Sequence, residues 1–132
     1  MATIKRFEDL EIWQLARKFS LDIFKITNIE PFSKDFKFRD QIRSAAGSAM
    51  DNIAEGFERS SRLEFINFLS ISKGSTGEIK SQLYRALDQE YISQAIFNEL
   101  YANYDKLAAG IGGFITYLNN SEIKGQKFKD RK

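Results

Sequence analysis

The stretch Gln41-Ile42-Arg43-Ser44-Ala45-Ala46-Gly47-Ser48-Ala49-Met50-Asp51-Asn52-Ile53-Ala54-Glu55-Gly56 decides the fold. Wound at about 100° per residue, it puts Phe38, Ile42, Ala45, Ala46, Ala49, Ile53 and Phe57 on one helical face. Small side chains dominate that face, so a neighbouring helix can approach closely. Alternatively, the helix packs on two sides at once, against its own bundle and another subunit. Gln41, Ser48, Asn52 and Glu55 run beside this face. Polar groups at the edge of a core are costly unless each finds a partner. Ser75 and Glu78 are the expected partners, and the six residues together predict a buried polar network that sets the register of two helices. A ligand-binding notch between helices is the other reading of the same stripe.

Upstream, Glu8 to Thr27 reads as a first helix, with Glu8, Asp9 and Glu11 at its positive end. Ile12, Leu15, Ala16, Phe19, Ile23 and Ile26 form its core stripe. Leu10, Trp13, Leu21 and Phe24 form a second stripe, nearly opposite. One apolar face suffices for a helix in a monomer, so the second is covered by the following loop or by another subunit; these four residues are the candidate oligomer interface. Asn28 to Lys37 reads as a loop, since Pro31 disfavours helix at Glu30, with Phe32 and Phe36 pinning it to the body. The central helix then spans Phe38 to Glu58.

Downstream, Ser61-x-x-Glu64 is a capping box for a third helix reaching Gln89. Phe65, Phe68, Leu69, Ile79, Leu83, Ala86 and Leu87 give its core face, interrupted by a polar waist at Ser72, Ser75 and Thr76. Ser93 caps a fourth helix to Asn119, with a stripe of Ile96, Phe97, Leu100, Tyr104, Leu107, Ile111, Phe114, Ile115 and Leu118. Gly110, Gly112 and Gly113 either permit close backbone approach there or are tolerated. No repeat or strand pattern is present. The reading is all-α, an antiparallel up-down-up-down four-helix bundle. Residues 1–120 form the bundle domain and 121–132 a flexible basic tail.

Composition narrows the function. The chain has 132 residues, 42% hydrophobic and 29% charged, enough for one soluble domain with a real core. Its twelve Phe and single Pro suit a helical protein with bulky anchors. Neither Cys nor His occurs. Thiol nucleophiles, Ser-His pairs and the commonest transition-metal ligand are therefore absent. A di-metal bundle site would want Glu-x-x-His pairs. The Glu55–Glu78 pair is the one acid–base candidate, with no nucleophile beside it. No cofactor, no metal and no enzymatic activity are expected. With no apolar leader or span and no disulfide framework, the expected location is cytoplasmic, away from any membrane.

Net charge is +2, and residues 121–132 alone carry +3, so the remainder sums to −1. Broad attraction to nucleic acid must then come from the tail (Lys124, Lys127, Lys129) or from local patches. Arg39, Arg43, Arg59 and Arg62 are the candidate phosphate contacts of the body, unless they belong to a salt-bridged surface. In a ring, a weak patch would repeat and its field would grow. No helix-turn-helix spacing, RNA-recognition strand motif or phosphate loop is present.

These residues resemble the four-helix-bundle family named for the 23S rRNA intervening-sequence protein. Phe7-x-x-Leu10-x-x-Trp13-x-x-Ala16 is similar to the family's opening. Gln41-Ile42-Arg43, Ala45-Ala46-x-Ser48 and Asn52-Ile53-Ala54-Glu55-Gly56 resemble its central helix. Phe65, Phe68-Leu69, Gly74-Ser75-x-x-Glu78 and Tyr91-Ile92 follow in the family's order. The likeness reaches about Asn120. It implies a bacterial cytoplasmic protein that assembles into a homo-oligomeric ring, a homopentamer; the residues themselves are read as those of a non-enzymatic protein whose further expected partner is structured RNA, held through backbone contacts. A relative, the accessory protein of diversity-generating retroelements, is a basic pentameric barrel that partners a reverse transcriptase. It implies the alternative, a protein-interaction scaffold. Ser44 stands where relatives carry a basic residue, and Gly47 and Ala49 stand where they carry larger apolar ones. The first departure, with the near-neutral body, weakens a basic-channel reading.

Overall fold

The computed structural model describes residues 4–121. Within them lie four α-helices: α1, Glu11–Thr27; α2, Phe36–Glu58; α3, Arg62–Asp88; and α4, Gln94–Asn120. Short 3-10 turns occupy Phe7–Asp9 and Phe32–Lys34, and no strand occurs among the described residues. Neighbours run antiparallel. On α2 and α3, Ser48 meets Ser75 while Gly56, further along α2, meets Phe65 and Phe68, further back on α3. Lys80 bridges to Asp105 and Arg62 to Leu118, which orders α3 and α4 the same way. Phe19 against Tyr104 and Ile12 against Gly110 do so for α1 and α4. This is the predicted four-helix bundle.

Local chemistry sets most helix starts. Ser61 Oγ accepts from the Glu64 amide at 3.0 Å, and Ser93 Oγ from the Ile96 amide at 3.1 Å, each satisfying an amide that the helix leaves unpaired. α2 begins two residues before its predicted start, because Asp35 supplies an unforeseen cap to the Phe38 amide. The first helix is broken where the sequence predicts continuity. Leu10 is extended, so Glu8 and Asp9 sit in the preceding 3-10 turn rather than in α1. That turn folds back so that Phe7 meets the Trp13 ring edge-on at 5.1 Å and Leu10 is left only 2% exposed.

The core is filled by Ile23, Ile42, Ile53, Leu69, Ile79, Leu83, Leu107, Ile111 and Leu118. Ile96, predicted on the α4 stripe, is exposed instead, one residue before the stripe enters the core at Phe97. Phe32 anchors the α1–α2 loop, stacking on Phe38 at 5.0 Å and meeting Tyr91 at 5.1 Å. Phe36 does not pin the loop: it is 63% exposed. Tyr91 donates to Asp35 at 2.8 Å, tying the α3–α4 connection to the α1–α2 connection. The α2–α3 contact is tightest at Gly56, where an added Cβ would lie 2.7 Å from Phe68 Cβ. Gly110 lets α1 close on α4, since a Cβ there would meet Ile12 Cγ2 at 3.2 Å.

Candidate functional site

The polar stripe of α2 meets the polar waist of α3 in a compact knot. Ser75 donates to Ser48 Oγ at 2.9 Å, and Asn52 donates to the Ser48 carbonyl at 2.8 Å and to its hydroxyl at 3.0 Å. Ser72 donates to the Ala49 carbonyl at 2.6 Å, and Thr76 to the Lys73 carbonyl at 2.6 Å. Buried hydroxyls of α3 thus bond across to α2 or back to their own helix. The predicted six-residue buried network is smaller than expected. Gln41, Glu55 and Glu78 are exposed, because their longer side chains reach past the helix contact into solvent. Glu55 pairs with Arg59 at 2.7 Å, and Glu78 accepts from Gln82 at 3.2 Å.

The two carboxylates do not converge. Ser48 and Ser75 stand abreast; Glu78 lies three residues to one side of that point and Glu55 seven to the other. At about 1.5 Å per residue, the acids are about 15 Å apart along the bundle. Shared acid–base work at one atom needs hydrogen-bond reach from both. Among the described residues, no group of three or more acidic residues is placed to hold a metal ion.

Toward the N-terminal half of α2, the helices part to leave an open groove of about 790 Å3. It exists because Ser44, Ala45, Ser48 and Ser81 are too short to fill the space between two helix axes. Lys37 and Arg85 stand at one end and Glu78 toward the other. The Arg85 guanidinium lies over the Phe38 ring at 4.2 Å. Asp40, also at the cationic end, accepts from Arg39 at 2.9 Å. Gln82 is 4% exposed, and its Oε1 is buried without a partner among the described residues. An unpaired buried amide oxygen costs about 1–3 kcal/mol. Sequence reasoning missed Gln82 and Lys37; the short residues Ser44 and Ala45 across the helix contact were the available signal.

The four candidate phosphate-contacting arginines do not form one patch. Arg39 and Arg43 sit near the start of α2, and Arg59 and Arg62 follow its end, about 30 Å away by helical rise. Each is engaged internally. Arg39 reaches Asp40 and the Ser33 carbonyl. Arg43 donates to Thr27 Oγ1 at 2.7 Å and to Asn28 Oδ1 at 2.8 Å, stapling the end of α1 to α2. Arg59 bonds Glu55, and Arg62 donates to the Leu118 carbonyl at 3.3 Å. The tail candidates Lys124, Lys127 and Lys129, and the predicted tail after Ser121, lie outside the described residues.

The expected oligomer stripe divides. Leu10 and Trp13 are buried within the bundle, because the folded-back 3-10 turn covers them, and so offer no surface to a partner. Leu21 and Phe24 are 51% and 47% exposed, covered neither by the loop nor by the core. Arg43 caps the Phe24 ring at 4.5 Å, and Arg39 caps the exposed Phe36 at 5.0 Å. Since the two arginines are one turn apart, both rings belong to one corner of the molecule.

Two tyrosines have shifted acidity. The hydrogen bond to Asp35 raises Tyr91, with desolvation and the Asp35 charge acting the same way. Burial raises Tyr104, with the Asp22 carboxylate adding to it, and the Tyr104 hydroxyl has no partner among the described residues. No described helix is long and apolar enough to cross a membrane.

The fold and groove define an all-α four-helix bundle with a polar groove between α2 and α3. The chain belongs to the 23S rRNA-intervening sequence protein family, whose model matches residues 8–113. A solved structure from Bacteroides thetaiotaomicron, a protein with unknown function from the S23 ribosomal protein family, has the same fold. Its TM-score is 0.74 at 22% identity, over 80% of this chain and 95% of that one. No curated protein matches.

Proposed function

We propose that this is a non-enzymatic protein of the bacterial cytoplasm that assembles into a homo-oligomeric ring and holds structured RNA by its backbone. The observation that carries the assembly is the corner formed by Leu21, Phe24 and Phe36. Phe24 and Phe36 are capped by arginines one turn apart, Leu21 lies one turn from Phe24 on α1, and each of the three is about half exposed or more. Adjacent exposed apolar groups of this kind mark association surfaces. The subunit number, five, is drawn from the family resemblance. Support for RNA comes from Lys37 and Arg85, which form no ion pair among the described residues, and from the +3 charge of residues 121–132. Repetition around a ring multiplies both.

Light scattering on the eluting full-length protein tests the assembly. A mass of several subunits is expected, falling to that of one chain in a Leu21→Glu/Phe24→Glu variant with unchanged helical content. A wild-type protein that is monomeric at high concentration would end this reading. A scaffold for another protein is the second reading, favoured by Ile71 and Tyr84, both half-exposed on α3. Salt separates the two: RNA affinity falls by about one power of salt per phosphate contacted, and an apolar protein interface changes far less.

A further inference from the structure

The α2–α3 groove carries chemistry that neither the assembly corner nor the Ser48–Ser75 knot uses. At its cationic end, the Arg85 guanidinium lies over the Phe38 ring at 4.2 Å and lines the groove. Lys37 stands on the facing helix, and the carboxylate at that end, Asp40, already bonds Arg39. Two helical turns back along α3, about 10 Å by helical rise, is Glu78. Gln82 lies between them, nearly buried, and donates to Glu78, which holds that carboxylate in place; its own Oε1 is buried and has no partner among the described residues. The hydroxyls of Ser44 and Ser81 line the interval. Two cations are thus separated from an exposed carboxylate by the length of one nucleotide with its side-chain contacts.

We propose that the groove binds a ribonucleotide unit, with its 5′-phosphate on Lys37 and Arg85 and its ribose hydroxyls on the Glu78 carboxylate, which Gln82 holds in place. Guanidinium and ammonium groups are the natural donors to phosphate oxygens. A ribose diol supplies O–H donors to a carboxylate, and carboxylates read ribose hydroxyls in this way in nucleotide-binding folds. The 2′-hydroxyl is also what separates RNA from DNA at a single site. A groove of about 790 Å3 has room for the unit, and its openness admits a free nucleotide or one residue of a strand. An internal strand residue presents the 2′-hydroxyl alone. The strand form rests on the RNA reading above; the free-nucleotide form does not.

The test uses the full-length protein. Adenosine 5′-monophosphate and its 2′-deoxy counterpart are titrated calorimetrically, and an RNA hairpin and its DNA counterpart are titrated by fluorescence anisotropy across salt. Ribose ligands are expected to bind about tenfold more tightly than deoxyribose ones, the worth of one charge-assisted hydrogen bond. Glu78→Gln should abolish that preference. Lys37→Gln, at an exposed side chain, should weaken ribose and deoxyribose ligands alike and flatten the salt slope by about one. Arg85→Gln should do the same, with circular dichroism checking the fold. Equal affinity for ribose and deoxyribose ligands, or variants that bind as wild type does, would overturn the proposal. RNA binding that ignores all three substitutions leaves the RNA reading standing and removes the groove as its site. Nucleotide binding through the groove without RNA binding does the reverse. If the substitutions change only the mass of the assembly, a second copy fills the groove and the proposal fails.

Discussion

Tyr104 carries its ring and its hydroxyl into quite different circumstances. The ring is fully buried on α4 and tilts against Phe19 at 5.7 Å, while the hydroxyl beside it has no partner among the described residues. An unsatisfied buried hydroxyl is destabilising, and Tyr104→Phe removes it while leaving the ring in place. We expect this substitution to raise the unfolding free energy by about 1 kcal/mol in urea titration; a loss of that size would show that the hydroxyl has a bonded water. The same group shapes the alkaline limb of stability. Tyr104 and Tyr91 both hold their protons more tightly in the folded state than in the unfolded chain, where phenols titrate near pH 10. Their contribution is complete below that pH and is lost as pH rises above it, because the unfolded chain ionises first. Urea midpoints measured from pH 8 upward should therefore fall, and fall less steeply in Tyr91→Phe and in Tyr104→Phe.

Among the elements, glycine substitutions separate packing from propensity. Gly56 and Gly47 both lie inside α2, where alanine favours a helix by about 1 kcal/mol. At Gly56 a Cβ would sit 2.7 Å from Phe68 Cβ and 2.9 Å from Phe65 Cδ1, whereas at Gly47 nothing lies within 4 Å. Gly47→Ala should stabilise the protein by about 0.5–1 kcal/mol, and Gly56→Ala should destabilise it by about 1–3 kcal/mol through overpacking. Thermal melts of the two variants side by side decide this. The contrast also shows what was legible in the chain. Ser61 and Ser93 were readable as caps because the bond they accept spans only three residues. The Ser72–Ser75–Thr76 waist was readable because helical period alone puts those residues among Leu69 and Ile79. The break at Leu10 was not, since it depends on Phe7 folding back onto Trp13. Neither was the groove, which arises where short side chains on two separate helices fail to meet.

For the whole molecule, the distribution of charge decides how nucleic acid could be held. Residues 1–120 sum to −1 and residues 121–132 to +3, so the body exerts no broad attraction of its own. Its arginines are largely consumed by internal bonds: Arg43 staples α1, Arg59 serves Glu55, and Arg39 serves Asp40. Any long-range capture would then belong to the tail, and any retention by the body to places such as the groove, where Lys37 and Arg85 have no carboxylate partner among the described residues. Capture by charge and retention by geometry respond differently to salt. A protein ending at Asn120 should lose much of its RNA affinity at low salt, and its log–log salt slope should shrink by up to about three per engaged subunit. Near-physiological salt already screens the tail, so the affinities of the intact and shortened proteins should converge there. Fluorescence anisotropy over a salt series measures both slopes. Convergence would place the residual contact in the folded body. Complete loss of binding on shortening, at every salt concentration, would leave the bundle with assembly as its role and the tail with all of the RNA contact.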